Sequence, residues 1–271
     1  MNHSKARGLR AIAAMFDLAR QAGRPAFLPF FPMGYPSPEA SLDAIRTLAA
    51  AGADGFEIGV PFSDPLADGP TIQAATQIAL EKGMTVPKVL ASIKTLRAEG
   101  LTQPILLFSY VNPLLAYGID ELIAAANAAG VDGLIIPDLP PEEADLFAGA
   151  CDEHGMALVF FLAPTSSDER VRLVVNQARG FIYVLSLTGV TGARRDLPPD
   201  LSDFLGRVRV QAGSTPLVLG FGISQPEHVR SIAPHVDGFI VGSALVKAAA
   251  AGTDSLHELA LRLRHATYEE S

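Results

Sequence analysis

A single (β/α)8 barrel of the α/β class, with one extra helix at its amino terminus, is the fold that the sequence predicts, as one domain over residues 1–271. Three observations carry it. Short apolar runs alternate with amphipathic helical patterns eight times, with no linker, composition break or low-complexity stretch between them. The run PILLFSY at 104–110 is apolar almost throughout, the mark of a strand buried on both faces in a parallel sheet. Segments leaving the carboxyl ends of the strands are longer than those entering, as in barrels that carry their site on one face.

The elements follow in order. Residues 1–24 form an amphipathic helical pattern, and Asp17 and Arg20 interrupt what would otherwise read as the apolar centre of an export signal. Residues 26–31 read as the first strand. Pro38, with Ser37 before it as cap, opens a helix that ends near Gly52. A strand over 54–58 leads into a long loop in which Pro61, Pro65, Gly69 and Pro70 bar regular structure. Helical patterns run over 71–82 and 86–99, the second entered through Thr85 and Pro87. Strand 104–110 then pairs with helix 120–129, strand 133–136 with helix 141–154, and strand 157–162 with helix 168–178. Strand 181–186 with helix 199–211, strand 216–220 with helix 226–232, and strand 238–241 with helix 255–268 complete the set.

Composition narrows the function classes. Apolar residues make up 49% and charged residues 18%, enough for a large core. No apolar stretch approaches the roughly eighteen residues that a membrane span requires, so no membrane partner is expected. A net charge of -8 argues against nucleic acid. The lone cysteine, Cys151, excludes an internal disulfide, fits a reducing cytoplasm, and falls in a helical pattern where a small buried residue is expected. With neither CxxC nor HExxH present, no metal is predicted. A small-molecule substrate remains.

The stretch EIGVPFSDPLADGPTIQ at 57–73 holds the chemistry. Glu57 sits near the carboxyl end of a strand and Asp68 in the loop after it. Two carboxylates in different surroundings suit acid/base work, because a buried one keeps its proton near neutral pH while a solvated one stays ionised. Read from the residues alone, both could equally be polar loop residues with Glu57 paired to a base. Tyr110, Asp138 and Tyr183 fall at the same face. So do two glycine turns, Gly220-Phe221-Gly222-Ile223-Ser224 and Gly242-Ser243, where barrels often seat a phosphate against backbone amides and a short helix start near Ser243. The loop SLTGVTGARRDLPP at 186–199, with Thr191, Gly192 and the Arg194-Arg195 pair, has the length of a lid over an anionic ligand. Phe30, Ile72, Phe108 and Phe221 stand where they would line a pocket for a flat aromatic group. The six histidines are scattered, none in a loop of the site, and most are expected at the surface.

These motifs carry a resemblance. With LPFFPMGYP at 28–36, YVNPLLAYG at 110–118, PDLPPEE at 137–143, GVTGAR at 189–194, GFGIS at 220–224 and VGSALVK at 241–247, the chain resembles the tryptophan synthase alpha chains over nearly its whole length. The resemblance implies retro-aldol cleavage of indole-3-glycerol phosphate to indole and glyceraldehyde 3-phosphate, in the cytoplasm. It implies no cofactor in this chain, with pyridoxal phosphate held by a tryptophan synthase beta chain in an alpha2beta2 heterotetramer. Carried over by motif, Glu57 is the catalytic acid/base and Asp68 the partner of the indole nitrogen. Tyr183 lies near the reacting carbons, Phe30, Ile72, Phe108 and Phe221 near the ring, and Gly192, Gly222, Gly242 and Ser243 at the phosphate. Tyr110 and Thr191 join the substrate-binding set. Phe108 stands where a smaller aliphatic residue occurs in the family, and Leu187 where some members carry a basic one. The partner is expected beside the pocket mouth, on Pro61, Asp64, Pro65, Pro113 and Leu114. The alternatives are a stand-alone indole-releasing lyase or another sugar-phosphate isomerase on the same barrel, and a noncatalytic chain that binds and activates a beta partner.

Overall fold

The computed structural model describes residues 6–186, 199–220 and 222–268. Eight parallel strands close into a barrel in sequence order, each pairing with the next and the last with the first. They are β1 (Ala26–Pro32), β2 (Phe56–Gly59), β3 (Ile105–Phe108), β4 (Gly133–Ile135), β5 (Ala157–Leu162), β6 (Ile182–Leu185), β7 (Leu217–Gly220) and β8 (Gly238–Val241). Around them run α1 (Leu9–Gln21), α2 (Pro38–Ala50), α3 (Pro70–Glu81), α4 (Val86–Ala98), α5 (Val111–Tyr117) and α6 (Ile119–Ala129). The ring continues with α7 (Asp145–Glu153), α8 (Asp168–Gln177), α9 (Pro199–Ala212), α10 (Pro226–Ile232), α11 (Ser243–Ala251) and α12 (Thr253–His265). The predicted barrel and its extra first helix are both present. Among the described residues no helix is long and apolar enough to cross a membrane.

All residues of β1, β2, β3, β4, β7 and β8 are buried, which explains why these segments read as unbroken apolar runs rather than alternating ones. The register sets the functional level: Phe30 on β1 lies opposite Glu57 on β2, which lies opposite Leu106 on β3.

Local chemistry explains most boundaries. Ser37 caps α2 by accepting the Ala40 amide at 3.2 Å, and Ser167 caps α8 in the same way from Arg170 at 3.2 Å. Three segments differ from the sequence reading. Residues 111–117, read as loop, form α5, because Pro113 occupies the first turn, where its missing N–H would have had no helical partner. The helix expected over 141–154 begins as a 3-10 turn, Pro141–Glu143, before α7. The last helix starts at Thr253 and ends at His265, shifted two to three residues toward the amino terminus. Cys151 is buried, and burial pushes its thiol up to about 12, so it is an inert packing residue as expected.

At the amino-terminal end of the barrel, Asp132 ties the chain together. Its carboxylate accepts from the amides of Gly8 at 2.7 Å and Ile105 at 2.8 Å and from the Arg97 guanidinium at 2.7 Å. The start of α1, the end of α4 and the start of β3 are thus held at one buried charge. The opposite end is left to the loops.

Candidate active site

Glu57 is the most unusual residue of the structure. It is 1% exposed, and neither carboxyl oxygen has a hydrogen-bond partner among the described residues. Its place follows from the strand: Phe56 and Ile58 point to one side of β2, so Glu57 points to the other, where it lines a cavity of about 510 Å³. Burial first, and the negative charge of Asp68 second, hold its carboxyl well above the usual range. The expectation of a buried carboxyl is met, and a structural pairing with a base is absent among the described residues.

Asp68 lines the same cavity from the loop after β2. The loop is a sequence of turns, with the Asp68 amide bonded to the Pro65 carbonyl at 3.0 Å and the Gln73 side chain donating to the Asp68 carbonyl at 2.8 Å. Tyr110, beyond the end of β3, organises it. Its hydroxyl accepts the Ala67 amide at 3.1 Å and bonds to the Asp68 carboxylate. Burial raises the Asp68 carboxyl to about 6, and the Tyr110 bond works in the opposite direction. Tyr110, which the sequence reading put in the substrate-binding set, does not line the cavity but lies behind Asp68.

Tyr183, on β6, is 3% exposed and stacks on Phe161 with ring centroids 4.7 Å apart. Burial, followed by the charges of Glu57 and Asp68, raises its phenol well above the ordinary value, so it keeps its proton. Its ring lies against Gly220 on β7, where any Cβ would run into the phenol. Phe30, Ile72 and Phe108 complete an apolar slot, Phe30 and Phe108 meeting edge to face with centroids 5.5 Å apart. The larger Phe108 is thus seated by an aromatic contact.

Gly222, Ile223, Ser224, Gly242, Ser243 and Ala244 close the far side of the cavity. Gly222 has φ +81°, a left-handed conformation that favours glycine. Gly242 needs no special φ. A Cβ there would lie 3.1 Å from the Phe30 ring, so this glycine is set by ring packing as well as by access to the helix behind it. Ser243 opens α11, whose first-turn amides have no helical acceptor, the arrangement that suits an anion at helix starts in general.

Of the predicted site residues, Glu57, Asp68, Tyr183, Phe30, Ile72, Phe108, Gly222, Gly242 and Ser243 meet in this one cavity. Thr191, Gly192 and Phe221, with Leu187 and the Arg194-Arg195 pair, lie outside the described residues. Asp138 does not line the cavity; its carboxylate accepts the Val111 amide at 2.9 Å and holds the start of α5. The sequence reading missed His228, which is 4% exposed while His154, His235 and His265 are exposed as expected. Its signal was positional: the third residue of a proline-initiated helix directly after the glycine turn.

A second cavity, of about 590 Å³, opens at the amino-terminal end of the barrel beside Phe16, Pro25 and Val236. Although larger, it holds no paired carboxylates, and its arginines are engaged: Arg20 by Asp17, Arg24 by Asp54 and Arg230 by Glu227.

The geometry of the 510 Å³ cavity joins a proton-holding carboxyl, an ionisable one, an apolar slot and the start of a helix. Comparison with known proteins agrees. The family description of the tryptophan synthase alpha chain matches residues 16–269. The tryptophan synthase alpha chain of Roseiflexus castenholzii is 52% identical over 235 residues, covering 87% of this chain and 90% of that one. The alpha chain of Chloroflexus aurantiacus is 50% identical over 235 residues, covering 87% and 88%. Among solved structures, tryptophan synthase of Mycobacterium tuberculosis superposes with a TM-score of 0.88 at 38% identity, covering 94% of this chain and 97% of that one.

Proposed function

The chain belongs to the tryptophan synthase alpha chain family, the lyases that cleave indole-3-glycerol phosphate to indole and glyceraldehyde 3-phosphate, and we propose that Glu57 and Asp68 carry this reaction. The observation that supports these roles is the unpartnered, proton-holding carboxyl of Glu57 in one cavity with the half-buried carboxylate of Asp68.

Each step is a proton movement. Protonated Glu57 gives its proton to the ring carbon that bears the side chain, and the ring nitrogen takes up positive charge. Asp68, ionised above about pH 6, balances that charge. The Glu57 carboxylate then removes the proton of the side-chain hydroxyl on the carbon next to the ring. As the hydroxyl becomes a carbonyl, the bond between ring and side chain breaks and its electrons return to the ring. Indole and the aldehyde leave, and Glu57 is protonated again. Tyr183 packs beside the reacting carbons, the Phe30, Ile72 and Phe108 slot takes the indole, and Gly222, Gly242 and Ser243 take the phosphate. Holding both ends of the substrate supplies the orientation that a site without an electron sink depends on. In this reading the chain itself needs no cofactor, and pyridoxal phosphate belongs to a beta partner in an alpha2beta2 assembly. A cytoplasmic setting suits its free, buried thiol.

The partner surface proposed beside the cavity mouth differs in detail from the expected one. Pro61 and Leu114 are buried, whereas Asp64 and Leu66 are exposed on the loop that bears Asp68, and Leu115 is exposed on α5. Leu66 at 88% exposure is an apolar side chain with no packing role in the monomer.

Replacing Glu57 by Gln keeps the shape of the side chain and removes the transferable proton. Turnover of indole-3-glycerol phosphate should fall by roughly 100- to 10,000-fold with phosphate affinity retained. Near-wild-type turnover by the purified variant would remove Glu57 from the mechanism.

A further inference from the structure

His228 sits in the first turn of α10, its amide donating to the Gln225 carbonyl at 3.1 Å and its carbonyl accepting the Ser231 hydroxyl at 2.9 Å. Its ring turns back toward the barrel. There Nδ1, 3.3 Å from the Ser224 nitrogen, accepts that residue's amide proton. A ring nitrogen that accepts from an amide is unprotonated, so the ring proton is on Nε2. Gln225, at the cap position of α10, makes no side-chain cap bond. His228 therefore plays from the third helical position the part that Glu or Gln plays in a capping box, one residue further back.

The contact has a consequence for the cavity. Gly222, Ile223 and Ser224 all line it, so this stretch brings three consecutive backbone amides to its edge. The Ser224 amide is committed to His228. Those of Gly222 and Ile223 make no hydrogen bond among the described residues, and the left-handed φ of Gly222 sets their direction. We propose that His228 is a positioning residue for the phosphate end of the substrate: by anchoring Ser224 it holds the Gly222 and Ile223 amides toward the anion, opposite the start of α11. The inference rests on the reading of this cavity as the indole-3-glycerol phosphate site. It is separable from that reading, because anion binding can be measured without turnover.

The test compares wild type with His228→Leu, which fills the space but accepts no proton, and with His228→Gln, whose amide oxygen can accept from Ser224. Inorganic phosphate and indole are titrated separately, kcat and KM for indole-3-glycerol phosphate are measured, and thermal midpoints are recorded. His228→Leu should weaken phosphate binding and raise KM about tenfold, the loss expected when one anion contact is misaligned. Its kcat should stay within about twofold and its indole affinity should not change. His228→Gln should recover most of the phosphate affinity. If His228→Leu fails to fold, His228→Met makes the same comparison with a more adaptable side chain. Wild-type phosphate affinity in the apolar variant would overturn the proposal. So would equal weakening of phosphate and indole, or a Gln variant no better than Leu, since each marks a purely structural cap. Wild type that binds phosphate with this His228 dependence but cleaves no indole-3-glycerol phosphate would overturn the lyase assignment and leave the positioning role standing.

Discussion

Glu57 and Asp68 make the protein's stability and its activity respond to pH in opposite directions. Both hold their protons more tightly when folded than their ordinary values of 4.5 and 3.8 allow. Above those values the unfolded chain releases protons that the folded chain retains, so stability falls as pH rises, through about 6 for Asp68 and further up for Glu57. For the fully buried Glu57 each pH unit inside that window costs up to about 1.4 kcal/mol, and half-exposed Asp68 contributes less because solvent screens it. Urea unfolding between about pH 5 and about pH 8 should show this decline, and Glu57→Gln should flatten it. A variant with the wild-type slope would mean that Glu57 is not the group holding the proton. Over the same interval kcat/KM should rise through about pH 6 as Asp68 ionises, a limb that Asp68→Asn should lack. The two carboxylates were legible in the sequence through the 57–73 stretch and its resemblance, since the residues alone left a pair of polar loop residues equally open. The work of Tyr110 and His228 was not, because each acts on a backbone amide of a neighbouring segment, and such contacts leave no periodic trace.

Among the elements, the short strands depend on their ends. β4 has three residues and β3 four, and Asp132, directly before β4, ties the two by accepting the Ile105 amide at the start of β3. Asp132→Ala would leave the buried Arg97 guanidinium without its carboxylate and two amides, of Gly8 and Ile105, without their acceptor. We expect a loss of about 3–5 kcal/mol in urea unfolding, as for other broken buried pairs. A loss below about 1 kcal/mol would show that solvent replaces the contact readily. Strand and helix types were readable for the eight repeated units, since apolar runs bounded by Gly and Pro leave little choice. The failures were local. Pro113 reads as a breaker, yet in a first turn it costs no hydrogen bond, and Pro141 opens a 3-10 turn rather than the helix proper.

For the molecule as a whole, the segregation of a tied amino-terminal end from a looped carboxyl end explains why the barrel can be legible while its interactions with other chains are not. Repetition of eight similar units is written in the sequence eight times; a docking face is written once. Exposed Leu66 lies on the loop that carries Asp68 and exposed Leu115 on α5, whose preceding Tyr110 bonds that loop at Ala67, so a beta chain seated on both would bear on Asp68 through a few residues of backbone. Saturating beta chain should raise the indole-3-glycerol phosphate cleavage rate by shifting the loops toward their competent arrangement. Leu115→Asp should abolish the rise and leave the basal rate intact. A rate that stays flat with wild-type chain at saturation would mark a stand-alone enzyme. One further consequence belongs to the ring of Phe30, which lies over two glycines on the flanking segments, 2.8 Å from where a Cβ of Gly59 would be and 3.1 Å from that of Gly242. The three positions share one volume, so none can drift alone. A larger residue at position 59 meets both this ring and the Pro32 backbone, whereas one at position 242 asks the ring to give by a few tenths of an ångström, so changes at these three positions are coupled rather than independent letters.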